Sequence, residues 1–132
     1  MCEFTIQHYQ EICDKIANSS YKTCFFKNLK EKDNNSLLLF RHDVDVSLEQ
    51  SLQLAEIEYR YDIKATYFIW LRSPFYNIFE KKKSDIIHEL LQMNHQLGLH
   101  FDETNYCQFK DNQLEQKIDY EVKIFKDFFD VD

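Results

Sequence analysis

Leu37-Leu38-Leu39-Phe40-Arg41-His42-Asp43-Val44-Asp45 decides the fold, because a short unbroken apolar run leads straight into a polar, doubly acidic segment. Large apolar residues without polar alternation are the pattern of a strand buried on both faces, as in a parallel sheet. Leu37 to Phe40 is therefore expected to form the first core strand. Just beyond it, Ser47 precedes Gln50 by the spacing of a capping box, and Leu48, Leu52, Ala55 and Tyr59 recur at helical intervals. Strand, short loop and helix follow one another.

The same order repeats downstream. Lys64 to Trp70 is rich in β-branched and aromatic residues and reads as a second strand. A loop around Pro74 leads to a helix from about Ser84, whose Ile86, Leu90 and Met93 share a face, and Gln96 to Phe101 supplies a third strand. Strands that start roughly thirty residues apart with a helix between them are βαβ units, hence a parallel sheet. Upstream, Tyr9, Ile12, Cys13 and Ile16 mark a helix that ends near Asn18 and lies outside the sheet. At the other end, Leu114, Ile118, Val122, Phe125 and Phe129 give a helix over Asn112 to Phe129 a broad apolar face to lay on the sheet.

The 132 residues suit one domain, about half the length of a complete β/α barrel of roughly 250 residues. Against 23 acidic side chains stand 16 basic ones, a net charge of −7, so nucleic acid and anionic membranes are not expected partners. A single glycine excludes Gly-rich phosphate loops and leaves tight turns to Asn, Asp or Gly98. Cys2, Cys13, Cys24 and Cys107 form no CxxC pair, and nothing reads as a secretion signal or a membrane span. Free thiols in a reducing cytoplasm are the expectation.

In α/β sheets, ligands gather at the carboxyl ends of parallel strands. At the first such end, the two-residue period of extended chain aims Asp43 and Asp45 to one side and turns His42 and Val44 away. At the third, His100 is followed by Asp102 and Glu103. Carboxylate and imidazole together suit zinc or another first-row divalent ion, which acidifies water and polarises a carbonyl. Asp43 and Asp45 would equally serve to cap the helix that starts near Ser47, and the residues alone leave both readings open.

Leu38 to Asp45, then Ala65-Thr66-Tyr67-Phe68, then His95-Gln96-Leu97-Gly98-Leu99-His100 resemble three successive motifs of the polysaccharide deacetylase (NodB-homology) family. The Arg-His-Asp-Val-Asp form resembles the branch with Asp-x-Asp in place of adjacent aspartates. The resemblance covers about Leu37 to Glu103 and implies the front of a deformed β/α barrel, a partial barrel with a short parallel sheet flanked by helices. It implies a hydrolase that removes acyl groups, usually N-acetyl, from sugars of a glycan or its precursor with the help of a divalent metal. Zinc is the expected ion, with manganese or cobalt as alternatives. By resemblance Asp43 is the general base, and Asp45 and His100 are metal ligands.

The sequence also departs from the family. Thr104 stands where the family usually has a second histidine, four residues after the first; Asp102 or Glu103 is the substitute that the sequence offers. The later motifs, with a general-acid histidine, have no counterpart before Asp132, so the expectation is a domain over 1–132 that lacks the C-terminal part of the barrel. Such a sheet has an open edge for a partner chain or a second copy. The alternative is accordingly a catalytically inactive scaffold or protein-interaction module.

Other candidates have plainer readings. His42 is expected to face away from the site as a hydrogen-bonded supporting residue, and His8, His88 and His95 to be structural or solvent-facing. Trp70 could stack on a sugar or close the core. Arg41 and Arg72 read as ordinary surface pairing, Lys81-Lys82-Lys83 as a solvated loop, and Phe125, Phe128 and Phe129 as a helix face.

Overall fold

The computed structural model describes residues 5–29, 36–108 and 111–131, the side chains of 111 and 112 excepted. Helix α1 spans Ile6–Ala17, and the Thr5 side chain starts it by accepting from the His8 N–H. Strands β1 (Lys22–Thr23) and β2 (Leu37–Leu38) form a small parallel pair. Then come β3 (Phe40–Val44), α2 (Leu48–Arg60), β4 (Ala65–Ile69), α3 (Lys81–Gln92), β5 (Gln96–Leu99) and α4 (Asp111–Phe129). The architecture is α/β: β3, β4 and β5 make a three-stranded parallel sheet in chain order. No helix among the described residues is long and apolar enough to cross a membrane.

The first core strand differs from the expected Leu37 to Phe40. Leu37 and Leu38 pair with Lys22 and Thr23, whereas Phe40 pairs with Ala65, so the chain changes partners at Leu39. All four apolar residues are half-buried rather than covered on both faces. The strand of the main sheet therefore contains Arg41, His42 and Asp43 themselves. Helix α3 likewise starts at Lys81, three residues before Ser84: lysines are good helix formers, and here they pair from the first turn, Lys81 with Asp85 at 2.7 Å and Lys83 with Glu49. In α2 the Ser47 Oγ accepts from the Gln50 N–H at 3.2 Å, a cap worth about 1 kcal/mol.

One face of the sheet carries the core. Val44, Tyr67, Ile69 and Leu97 meet Leu48 and Ala55 of α2, Ile87 and Leu90 of α3, and Phe125 and Phe129 of α4. Each large side chain so buried stabilises the fold by about 1.5–3 kcal/mol. Phe128 stays exposed, edge-on to Phe79. Helix α1 packs on α2 around Cys13, Ile57 and Ile63. The other face of the sheet carries no α-helix among the described residues and presents Arg41, Asp43, Phe68 and Gly98, with Phe26, the first residue of a short 3-10 helix over Phe26–Asn28, edge-on to Phe68 at 5.9 Å.

The three helices that follow the main strands end alike. Asp62, Asn94 and Asp130 take left-handed φ of 54°, 63° and 52°. The next residue then bonds back five positions: Ile63 N–H to Glu58 at 2.9 Å, His95 to Leu90 at 3.1 Å, Val131 to Lys126 at 3.3 Å. This is the Schellman closure, built with Asp and Asn where glycine is commoner. Gly98 has an ordinary φ and is needed instead for space, since a Cβ there would lie 2.6 Å from Phe68 Cε1.

Candidate functional site

The ladders align Val44 with Ile69 and Ile69 with Leu99, so the next residue of each strand, Asp45, Trp70 and His100, forms one row at the carboxyl end of the sheet. The His100 N–H bonds to the Ile69 carbonyl at 2.8 Å and carries the ladder into that row. Side chains repeat with period two. The rows below on the same open face are therefore Asp43, Phe68 and Gly98, and then Arg41, Thr66 and Gln96. Tyr76 ties two strand ends together: its hydroxyl donates to the Val44 carbonyl at 2.6 Å and accepts from the Trp70 N–H at 3.1 Å. Burial pushes that phenol up to about 12, so it serves as a neutral clamp.

Asp45 Oδ1 and His100 Nδ1 lie 3.2 Å apart, brought together from strand ends far apart in the chain. Between them stands Trp70, whose Nε1–H donates to Asp45 Oδ1 at 3.1 Å and also reaches His100 Nδ1. Asp45 is 54% exposed and His100 26%, so a solute can approach. Asp43 is held elsewhere on the same face: Arg41 Nε contacts its Oδ1 at 2.7 Å and Arg41 Nη2 its Oδ2 at 3.2 Å. The guanidinium also lies 4.4 Å above the Phe68 ring. The two aspartates thus share a face, with His42 and Val44 turned to the other, but Asp43 is partnered by Arg41 rather than by the Asp45–His100 pair.

The residues offered as substitutes for the missing histidine do not join. Asp102 caps the short turn Glu103–Tyr106, accepting from the Thr104 N–H at 3.0 Å, Thr104 Oγ1 at 2.7 Å and Asn105 Nδ2 at 2.9 Å. Glu103 is exposed. Among the described residues no three His, Cys, Asp or Glu side chains are grouped to hold a metal ion. The Asp45–His100 spacing does match two ligands of one ion, since atoms each about 2.1 Å from zinc sit roughly 3–3.5 Å apart. Oxygen and imidazole nitrogen suit that class of ion. The pair fits half of a four-coordinate site.

Sequence reasoning missed a buried polar cluster behind the sheet. Glu58 of α2 is fully buried and accepts from Tyr67 Oη at 2.7 Å and from Tyr9 Oη, with His42 Nε2 at 2.5 Å. Burial opposes the Glu58 charge, but the hydrogen bond and charge of His42, with the two tyrosines, hold its carboxyl below the usual range. Burial, then the Glu58 charge, pushes both phenols far above theirs. His95, also buried, puts Nε2 3.2 Å from the Ala55 carbonyl, which only accepts, so Nε2 carries the proton. Its Nδ1 has no hydrogen-bond partner and lies 3.8 Å from Glu58 Oε2. Burial keeps His95 below its ordinary pKa against the pull of Glu58. The available signal was a glutamate at helical spacing from Leu48 and Ala55; Tyr59, given that face instead, is exposed.

Arg72 is engaged structurally, 3.3 Å from the buried Glu121 and 4.5 Å over the Tyr106 ring. Two grooves of about 520 Å³ run along α1, and neither is lined by Asp45, Trp70 or His100. No protein-family profile, curated protein or solved structure matches the chain.

Proposed function

We propose that this chain is a metal-dependent deacetylase-like domain, the front of a deformed β/α barrel, acting on N-acetylated sugars of a cytoplasmic glycan precursor. The observation that carries the reading is the meeting of Asp45 Oδ1 and His100 Nδ1 at 3.2 Å on the carboxyl rim of a parallel sheet. In such a domain Asp45 and His100 hold a divalent cation, zinc before manganese or cobalt, which supplies Lewis acidity and an activated water when bound. Asp43 would take the proton, its carboxylate oriented by the two Arg41 nitrogens. The face below the rim, with Phe68 over Gly98, would receive the sugar.

The test is elemental analysis of the purified chain after separate exposure to zinc, manganese and cobalt. One ion per chain, lost in both Asp45→Ala and His100→Ala, is the expected result and warrants deacetylation assays on N-acetylated sugars. Absence of specific binding would leave the alternative, a non-catalytic scaffold. That alternative is favoured by one observation, the lack of a third ligand among the described residues. A partner chain or second copy on the open sheet edge then accounts for the domain.

A further inference from the structure

The Glu58 carboxylate joins α1, β3 and β4 to α2. Its Oε1 contacts Tyr9 Oη of α1 and, at 2.5 Å, His42 Nε2 of β3; its Oε2 accepts from Tyr67 Oη of β4 at 2.7 Å. His95, the residue before β5, stands against the same Oε2 with Nδ1 3.8 Å away. The side chains of Glu58 and His95 are wholly buried.

His95 Nε2 gives its proton to the Ala55 carbonyl, so Nδ1 offers only a lone pair. It faces an oxygen that also only accepts. It is also the one buried side-chain nitrogen or oxygen among the described residues without a hydrogen-bond partner. A proton arriving at Nδ1 turns this opposition into an ion pair, but a bond needs about 2.9 Å, so the carboxylate must move toward His95 and away from its partners on Oε1. The proton also sets two imidazoles against one carboxylate. The other titratable groups facing Glu58, Tyr9 and Tyr67 and Cys13, are all pushed up and hold their protons, so they supply no second negative charge. His95 further lines a groove bordered by Lys27 and Asp130, to which the end of α3 adds only the uncharged Leu91 and Asn94.

Helix α1 is held by apolar packing around Cys13 and by the Tyr9 hydroxyl, while its Ile6 and Ile12 remain exposed. We infer that His95, Glu58 and Tyr9 form a proton-operated latch on α1: one proton taken up at His95 Nδ1 draws Glu58 off Tyr9 and His42 and releases the helix, while β3, β4 and β5 stay paired. No residue of the Asp45–Trp70–His100 row takes part, so the latch stands apart from the function proposed above. The latched state holds His95 below its ordinary 6.5, with burial as the largest cause and Glu58 and the Ala55 carbonyl opposing it. Opening therefore grows as pH falls below about 6.5 and levels off at the lower, latched value.

Hydrogen exchange of the full chain tests this, read by mass spectrometry of peptides from about pH 7.5 to about pH 5 and corrected for intrinsic rates. The expected result is that protection of α1 falls by up to about tenfold per pH unit, the slope of one proton, while peptides of β4 and α3 keep theirs. His95→Gln, whose amide still donates to Ala55 but takes up no proton, should hold α1 protection flat. Tyr9→Phe should lower it already at neutral pH and remove most of the pH dependence. Nitrogen NMR of the parent chain should show the His95 imidazole gaining its proton over the range in which α1 loses protection. Protection of α1 that does not change with pH, loss shared equally by β4, the same loss in folded His95→Gln, or a His95 that stays neutral throughout overturns the latch. The two measurements on the parent chain decide the matter even where a variant does not fold.

Discussion

Glu58 and His42 form an ion-pairing contact at 2.5 Å beneath the sheet, with the glutamate wholly buried and the imidazole 18% exposed. His42 sits one residue before Asp43, so this contact anchors the strand that presents the acidic motif. Removing the carboxylate leaves the Tyr9 and Tyr67 hydroxyls and His42 Nε2 without their common partner. Glu58→Ala should cost about 3–5 kcal/mol, and Glu58→Gln less, because the amide still accepts from Tyr9 and Tyr67. Urea unfolding followed by circular dichroism measures both, and a loss below about 1 kcal/mol for Glu58→Ala would contradict the anchoring role.

Acid should unfold the protein in two stages. His95 is held neutral, its folded pKa below the ordinary 6.5, so its contribution is present above that value and is lost as pH falls below it. Glu58, facing His95 together with His42 and Tyr67, is depressed below 4.5, so its contribution persists further and is lost only as pH falls through the lower, folded value. Urea midpoints should therefore decline as pH falls below about 6.5 and again as it falls below about 4.5. His95→Gln should flatten the first decline only; a parallel pH profile for parent and variant would exclude His95 as its source.

Gly98→Ala should destabilise by about 1–3 kcal/mol, since the added methyl would lie 2.6 Å from a Phe68 ring atom and the ring is confined by Phe26 and Arg41. The double variant Gly98→Ala with Phe68→Leu should recover part of that loss. A strictly additive double-mutant cycle would place the cost elsewhere than in this contact.

Arg41→Ala should change stability by about 0–1 kcal/mol, because the Arg41–Asp43 pair is largely exposed. If Asp43 is the base of the proposed reaction, the same variant should lower deacetylation kcat by at least about tenfold, within the range for a positioned acid–base group, with little change in KM. Thermal melts and steady-state kinetics on one preparation separate the two effects. Equal loss of melting temperature and turnover would mean that the pair is structural.

Burial raises the Cys13 thiol to about 11, whereas Cys107 is exposed. A maleimide reagent should label Cys107 in the native protein and Cys13 only after urea is added, read by mass spectrometry of peptides. Native labelling of Cys13 at a comparable rate would show that α1 lifts from α2.

The alternation of strands and helices was legible because local signals agreed with the final packing: the Ser47 cap, the apolar spacing in α1 and the β-branched run into β4. The convergence of Asp45 with His100 was legible at the level of position, as residues following parallel strands. What escaped depends on partners distant in sequence. Leu39 breaks its strand because the neighbours on either side belong to different sheets. Glu58 is buried because His42, Tyr9 and Tyr67 arrive from three other elements, and no periodicity within α2 distinguishes it from Tyr59. Trp70 offered a flat ring to sequence reasoning, but its N–H acts at the rim.

The repeated left-handed closure of α2, α3 and α4 has a topological consequence. The closures of α2 and α3 each hand the chain on to the next strand, and the described sheet runs β3, β4, β5 without reversing direction. Open α/β sheets that do reverse acquire a crevice where the order switches, and ligands settle there. A sheet wound one way has no such crevice. Its helices α2, α3 and α4 pack on one side, and Asp45, Trp70 and His100 stand abreast at the carboxyl rim of the other.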